Sequence, residues 1–239
     1  MTARKHHYLP KCYLKGFARH REKAQLYVVD AKVQKPFRTA TDNVAAERDF
    51  HRIEVEGLPS DFLETQLSHF ETKLADALVS IIKARSIANK DHFDYVLNLV
   101  GLCAVKNPRQ RSNFNDFQWR TLSLAMDAAT ATKEIWASQI EKARTDGFLE
   151  DLPKIDDEEF RLYWRKDNYK LKTSVTMHLQ LEFSVFDKIL ETLFARHWTL
   201  LKAPRGQTGF ICSYQPPEVL TCRHVAFWLA QAAGHRSRL

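Results

Sequence analysis

Leu63, Leu67, Phe70, Leu74, Leu78 and Ile81 recur at spacings of four, three, four, four and three. That pattern lays one apolar stripe along a helix of about five turns, which must be covered by other helices. Asp61 followed by Glu64, just after Pro59 and Ser60, reads as a capping-box-like start. A second helix is predicted from near Asp91, with Phe93, Val96, Leu97, Val100 and Ala104 on one face. Asn107-Pro108 ends or kinks it, because proline disfavours the helical region for its predecessor. A third helix is expected from about Asn113 to Ala143, through Phe117, Leu124, Ala128, Ile135 and Trp136. Thr173–His197 is mixed: SVTMHLQLEF alternates like a strand, and Phe186, Ile189, Leu190 and Leu193 then continue at helical spacing. Arg223–Ala233 reads as a last helix.

The two ends of the chain carry the strand signals. Pro10 opens a short helix after an extended entry, a position where its missing N–H costs nothing. Gln25–Ala31 and Lys35–Thr39 are predicted to pair as a hairpin, and Val44–Arg52 reads as a short helix. Trp198–Leu201 and Phe210–Ser213 read as a terminal strand pair around the Pro204–Gly209 turn. The expected fold is α+β and predominantly helical, with a small β-sheet formed from N-terminal and C-terminal segments, in a single domain over 1–239.

The net charge of +7 is unevenly placed. Residues 1–24 hold seven Lys/Arg against Glu22 alone (+6), and residues 219–239 add Arg223, Arg236 and Arg238 (+3), so the rest sums to −2. With only 7 glycines in 239 residues, neither GxGxxG nor GxxxxGK[ST] can be written, which excludes the Gly-rich phosphate loops. Val96–Val105 is about half the length a membrane span needs. No apolar segment follows the basic start, and the Leu26–Val29 strand comes too early for a mitochondrial presequence, so a cytoplasmic location is expected. Cys12, Cys103, Cys212 and Cys222 show no CxxC spacing and read as reduced thiols.

The opening HHYLPKCYLKGF is the most distinctive segment. His7, Tyr8, Pro10, Tyr13, Leu14 and Phe17 match the His-Tyr-x-Pro-x-x-Tyr-Leu-x-x-Phe start of a mostly bacterial family. The chain resembles that family, domain of unknown function four-two-three-eight. Asn43, Ala45, Glu47 and Phe50 resemble its next segment, Glu64 and Glu71 its pair of helical glutamates, and Lys106, Pro108 and Arg111 its Arg-x-Pro-x-x-Arg helix end. Two departures stand out: Lys106 replaces an arginine, and Ser213-Tyr214-Gln215-Pro216 lacks a family-like aspartate. The resemblance implies a fold and a family, not an activity.

His6 and His7 with Glu47, Glu64 and Glu71 form the best polar set. Imidazole with carboxylates can hold a divalent metal or divide general-acid and general-base duties. Glu64 and Glu71 lie two turns apart on one side of a helix, about 10.5 Å along its axis, so they cannot chelate one ion without a third group. Structural roles compete: a cap for Glu64, a surface lysine partner for Glu71, and packing on Tyr8 for His7. Glu71-Thr72-Lys73 echoes the end of a PD-(D/E)xK nuclease site but sits in a helical stripe. Lys106, Arg109 and Arg111 surround the helix break, either answering the helix dipole or clamping an anion. Phe160–Lys172 interleaves aromatics with five basic residues, which suits either single-stranded nucleic acid or an amphipathic packing element.

The leading expectation is a hydrolase or nuclease-like effector acting on a phosphate-rich substrate. His7, Glu47 and Glu71 would be catalytic, and Lys106, Arg109 and Arg111 would bind phosphate. The alternative is a non-catalytic module that binds nucleic acid or protein, which the missing aspartate near Ser213 favours. A divalent metal is compatible with the first expectation; a membrane partner is not expected.

Overall fold

The apolar stripe forms helix α2 (Phe62–Ala84) and buries Leu67, Leu74, Ala77, Leu78 and Ile81. In this computed structural model the described residues are 5–18, 23–30, 33–148, 157–165, 169 and 172–202. They divide into two compact units, one of residues 1–108 with 175–239 and one of residues 109–174. The fold is α+β and mainly helical. Among the described residues no helix is long and apolar enough to cross a membrane.

In the first unit, β1 (Lys5–His7) pairs antiparallel with β4 (Ala46–Arg48), in the register Lys5↔Arg48, His6↔Glu47 and His7↔Ala46. The predicted hairpin forms from β2 (Gln25–Asp30) and β3 (Lys35–Ala40). Between them lie the short helix α1 (Lys11–Leu14), entered through Pro10, and two 3-10 turns. The 46–48 segment is a strand rather than part of a helix. Ala45 and Asp49, which flank it, adopt left-handed φ of 51° and 56°, which interrupts a helix on both sides. Pairing with β1 overrides the helical propensity of Ala46, Glu47 and Arg48.

Helix α3 (Lys90–Val105) starts where Asn89 Oδ1 accepts the His92 N–H at 3.0 Å, and it ends before Asn107-Pro108 as expected. Tyr13, Leu74, Leu78, Ile81, Val96 and Leu99 form the central core, joining α1, α2 and α3. Helix α7 (Val175–Phe194) covers the other face of α3, with Leu97, Val100 and Leu193 packed together under Trp198. The strand-like alternation at its start is therefore helical. Val175, Leu179, Glu182, Phe186 and Leu193 fit a 3.6-residue period as well, and the packing partner decides between the two. Trp198–Leu201 has no regular secondary structure, so the described strands all come from residues 5–48. Phe210–Ser213 and the expected last helix lie outside the described residues.

In the second unit the single long helix expected over 113–143 is two helices, α4 (Pro108–Ala129) and α5 (Lys133–Thr145). Threonine hydroxyls break it. Thr130 Oγ1 donates back to the Met126 carbonyl at 2.7 Å, and Thr132 Oγ1 caps α5 by accepting the Ile135 N–H at 3.2 Å. Helix α6 (Asp157–Arg165) presents Phe160 to Trp136, and its buried Arg161 donates to both Glu158 oxygens and to the Thr130 carbonyl. Trp164 and Tyr169 also pack on each other. Much of the 160–172 aromatic signal is thus used in packing, with Tyr163 remaining exposed.

Candidate functional site

Strand alternation sends the adjacent His6 and His7 to opposite faces of β1, and both are buried. His7 Nε2 donates to the Thr41 carbonyl at 3.3 Å. Burial and the Lys11 charge hold its imidazole below the ordinary histidine value, against the Thr41 bond and the nearby carboxylates. His6 turns the other way, and its Nδ1 accepts the His51 backbone N–H at 2.8 Å.

His51 reaches this position through the turn that ends β4. The left-handed Asp49 folds the chain back and drives Phe50 and His51 inward, to 3% and 1% exposure. The His51 ring lies 5.4 Å from the His6 ring, nearly parallel to it, and meets the Phe50 ring edge-on at 5.2 Å. His51 Nδ1 donates to Glu64 Oε2 at 2.6 Å, and His51 Nε2 is buried with no partner among the described residues. Burial pushes the imidazole down to about 4; the Glu64 hydrogen bond opposes this and the Lys106 charge assists it. At neutral pH the ring is uncharged, with its proton on Nδ1 and a lone pair on Nε2.

Glu64 lies in the first turn of α2, where the positive end of the helix favours an anion. It completes no capping box: Asp61 makes no side-chain cap bond, and the Glu64 carboxylate is turned to His51. Burial alone would raise this carboxyl, but the His51 bond and the neighbouring cationic groups outweigh it and leave it below its ordinary value. One donor atom each from His6, His51 and Glu64 lies within 4.8 Å of the other two.

Lys106 closes α3 and is 3% exposed. Burial lowers its ammonium to about 8, although Cys103 and the carboxylates of Glu71, Glu64 and Glu182 pull the other way. Glu71 is half-buried two turns further along the same side of α2, within the field of both Lys106 and Glu64. Burial raises its carboxyl, Lys106 opposes, and Glu64 adds to the rise. Glu71 also lines a cavity of about 440 Å³ between α1 and α2, together with Lys11, Cys12, Lys15, Ser68 and Thr72. That size suits a small ligand or one unit of a larger one.

Of the residues singled out by sequence, Glu71 and Lys106 come within electrostatic reach of each other. His7 is engaged with Thr41, and the Glu47 side chain is exposed on β4 although its backbone faces His6. Arg109 and Arg111 belong to the second unit, where Arg109 is exposed and Arg111 buried. Sequence reasoning missed His51. It is 45 residues from His6, and only the β1–β4 register and the Asp49 turn bring the two together.

No curated protein and no solved structure matches this chain. The model of one family does, over residues 5–222, which takes in His6, His51, Glu64, Glu71 and Lys106. The chain belongs to that family, described as a protein of unknown function (DUF4238).

Proposed function

We propose that the protein is a hydrolase acting on a phosphate-bearing substrate, nucleic acid being one such class. The observation that carries this reading is the position of Glu71, a wall of the cavity that also lies in the field of Lys106 and Glu64. A carboxyl raised by burial is suited to donate a proton, while the Glu64 carboxylate, held ionised by His51, is not. Two carboxyl groups with opposite displacements divide the acid and base duties.

In this reading Lys11 and Lys15 draw the phosphate to the cavity and Lys106 supplies fixed positive charge behind it. Water attacks phosphorus and loses its proton to the ionised Glu64 carboxylate. The bond to the leaving oxygen breaks as Glu71 protonates it. His7 and Glu47 take no step, and Arg109 and Arg111 offer a separate phosphate contact on the second unit.

The test is hydrolysis of single-stranded RNA, DNA and aryl phosphate esters by the full chain, with Mg²⁺, Mn²⁺ or Zn²⁺ present. Glu71→Gln keeps the shape of the side chain and removes its acid. It is expected to lower kcat by about 10²–10⁴-fold, the usual contribution of a positioned acid. Equal product from parent and variant overturns the reading. Binding that weakens with salt but yields no product points instead to a non-catalytic phosphate-binding module.

A further inference from the structure

We propose that His6, His51 and Glu64 bind one divalent transition-metal ion, with zinc the best match to the donor set. The inference concerns the same centre as the proposed hydrolase, but its evidence is geometric and does not require turnover.

Three observations meet at this point. First, the three donor atoms lie within 4.8 Å of one another. A tetrahedral ion at about 2.1 Å from each ligand sets its ligands about 3.4 Å apart, so the donors lie within side-chain reach of one ion once the near-parallel His6 and His51 rings rotate toward it. Second, the cluster holds more lone pairs than protons. The His51 N–H serves His6 Nδ1 and the His51 Nδ1–H serves Glu64, yet His51 Nε2 is buried with no partner among the described residues. A buried ring nitrogen without a partner is costly, so the polar groups of this cluster are incompletely satisfied as they stand. Third, both imidazoles are more than nine-tenths buried and carried by a strand and a tight turn, so the donors are held in place before the ion arrives.

Two imidazoles and one carboxylate favour zinc and its neighbours over magnesium or calcium, which prefer oxygen. Three protein ligands leave a position for water, as catalytic zinc sites do. Loading breaks the His51 Nδ1–H···Glu64 hydrogen bond, and the proton held there is released to solvent or moves to Nε2 as the ring and the carboxylate turn to the ion.

The experiment uses the full chain, stripped with chelator and titrated with Zn²⁺ and with Co²⁺ as a spectroscopic probe. One ion per chain is expected, with a rise in Tm on addition of Zn²⁺. His51→Ala and Glu64→Gln should each weaken binding at least about 10-fold, the lower bound seen when supporting groups of metal sites are removed. His69→Ala, an exposed histidine further along α2, should not. X-ray absorption on the zinc-loaded parent needs no variant to fold and should count two imidazole ligands. Fewer than two imidazoles, or equal loss with His69→Ala, overturns the site. One bound zinc without hydrolysis upholds the metal site and removes the hydrolase; hydrolysis by a chain that binds no zinc does the reverse.

Discussion

His51 and Glu64, thirteen residues apart, are joined by a 2.6 Å hydrogen bond that ties the turn after β4 to the first turn of α2. Burial of His51 sets the pH response of this junction, and the bond to Glu64 moderates it. As pH falls, the unfolded chain takes up a proton on His51 near 6.5, while the native imidazole resists until about 4. Stability is therefore fully present above 6.5 and is lost as pH falls toward 4. The lowered Glu64 carboxyl acts in the same direction, its share being lost as pH falls through its folded value. The displacement of His51 corresponds to on the order of 3 kcal/mol. Urea unfolding between pH 7 and 4.5, with chelator present, should show the parent losing stability more steeply than His51→Gln, whose amide still reaches Glu64. Parallel curves for the two proteins would refute this.

Lys106 predicts the opposite end of the pH scale. Its ammonium is lowered by burial from 10.5 to about 8, so between those values the unfolded chain holds a proton that the native chain has released. Native stability gains from Lys106 as pH rises from 8 to 10.5. The stability of the parent relative to Lys106→Met should therefore move in the parent's favour across that range, by on the order of 3 kcal/mol. Groups common to both proteins cancel in the comparison. A pH-independent difference in unfolding free energy would place the ammonium in water.

Much of the helical fold was legible because periodicity is a local property. The stripe from Leu63 to Ile81 and the Asn107-Pro108 break both correspond to observed helix boundaries within three residues. Two of the errors fall where tertiary contact outweighs local preference: Ala46–Arg48 became a strand through pairing with Lys5–His7, and SVTMHLQLEF became helical against α3. The site was half legible. Glu71 and Lys106 announced themselves as charges beside an apolar stripe and a helix break. His51 did not, because no spacing links His6, His51 and Glu64 along the chain. Glu64 was legible as a cap, the role that three-residue spacing from Asp61 suggests, and its bond to His51 depends on a turn 13 residues upstream.

Cys12 lines the cavity beside Glu71, and burial, reinforced by the Glu71 charge, pushes its thiol up to about 12 from the ordinary 9.0. Since the thiolate is the nucleophile, native Cys12 should be close to inert at pH 8. Its thiolate fraction there is lower than in the unfolded chain by about a thousandfold. Alkylation with iodoacetamide, followed peptide by peptide by mass spectrometry, should label the Cys12 peptide at least about 100-fold more slowly in native protein than in urea. Comparable native and unfolded rates would mean that the cavity presents an ordinary thiol.

Gly101 lies at a close approach of α3 to α7. A Cβ built there meets Leu190 Cδ2 and Phe186 Cε2, each at 3.0 Å. Glycine costs a helix interior about 1 kcal/mol relative to alanine, so its presence at a buried position of α3 answers a packing demand. Gly101→Val adds two further methyl groups, which must displace the edge of the Phe186 ring and the Leu190 methyl that already sit against this position. Overpacking of this kind destabilises by about 1–3 kcal/mol. Because α7 also carries Leu193 and the Trp198 contact onto α3, the strain should loosen that interface as a whole. Chemical unfolding should report the loss in midpoint. Hydrogen exchange should show faster opening of α7 amides, with α2 amides less affected. An unchanged midpoint together with unchanged α7 protection would show that the two helices are not in close contact at Gly101.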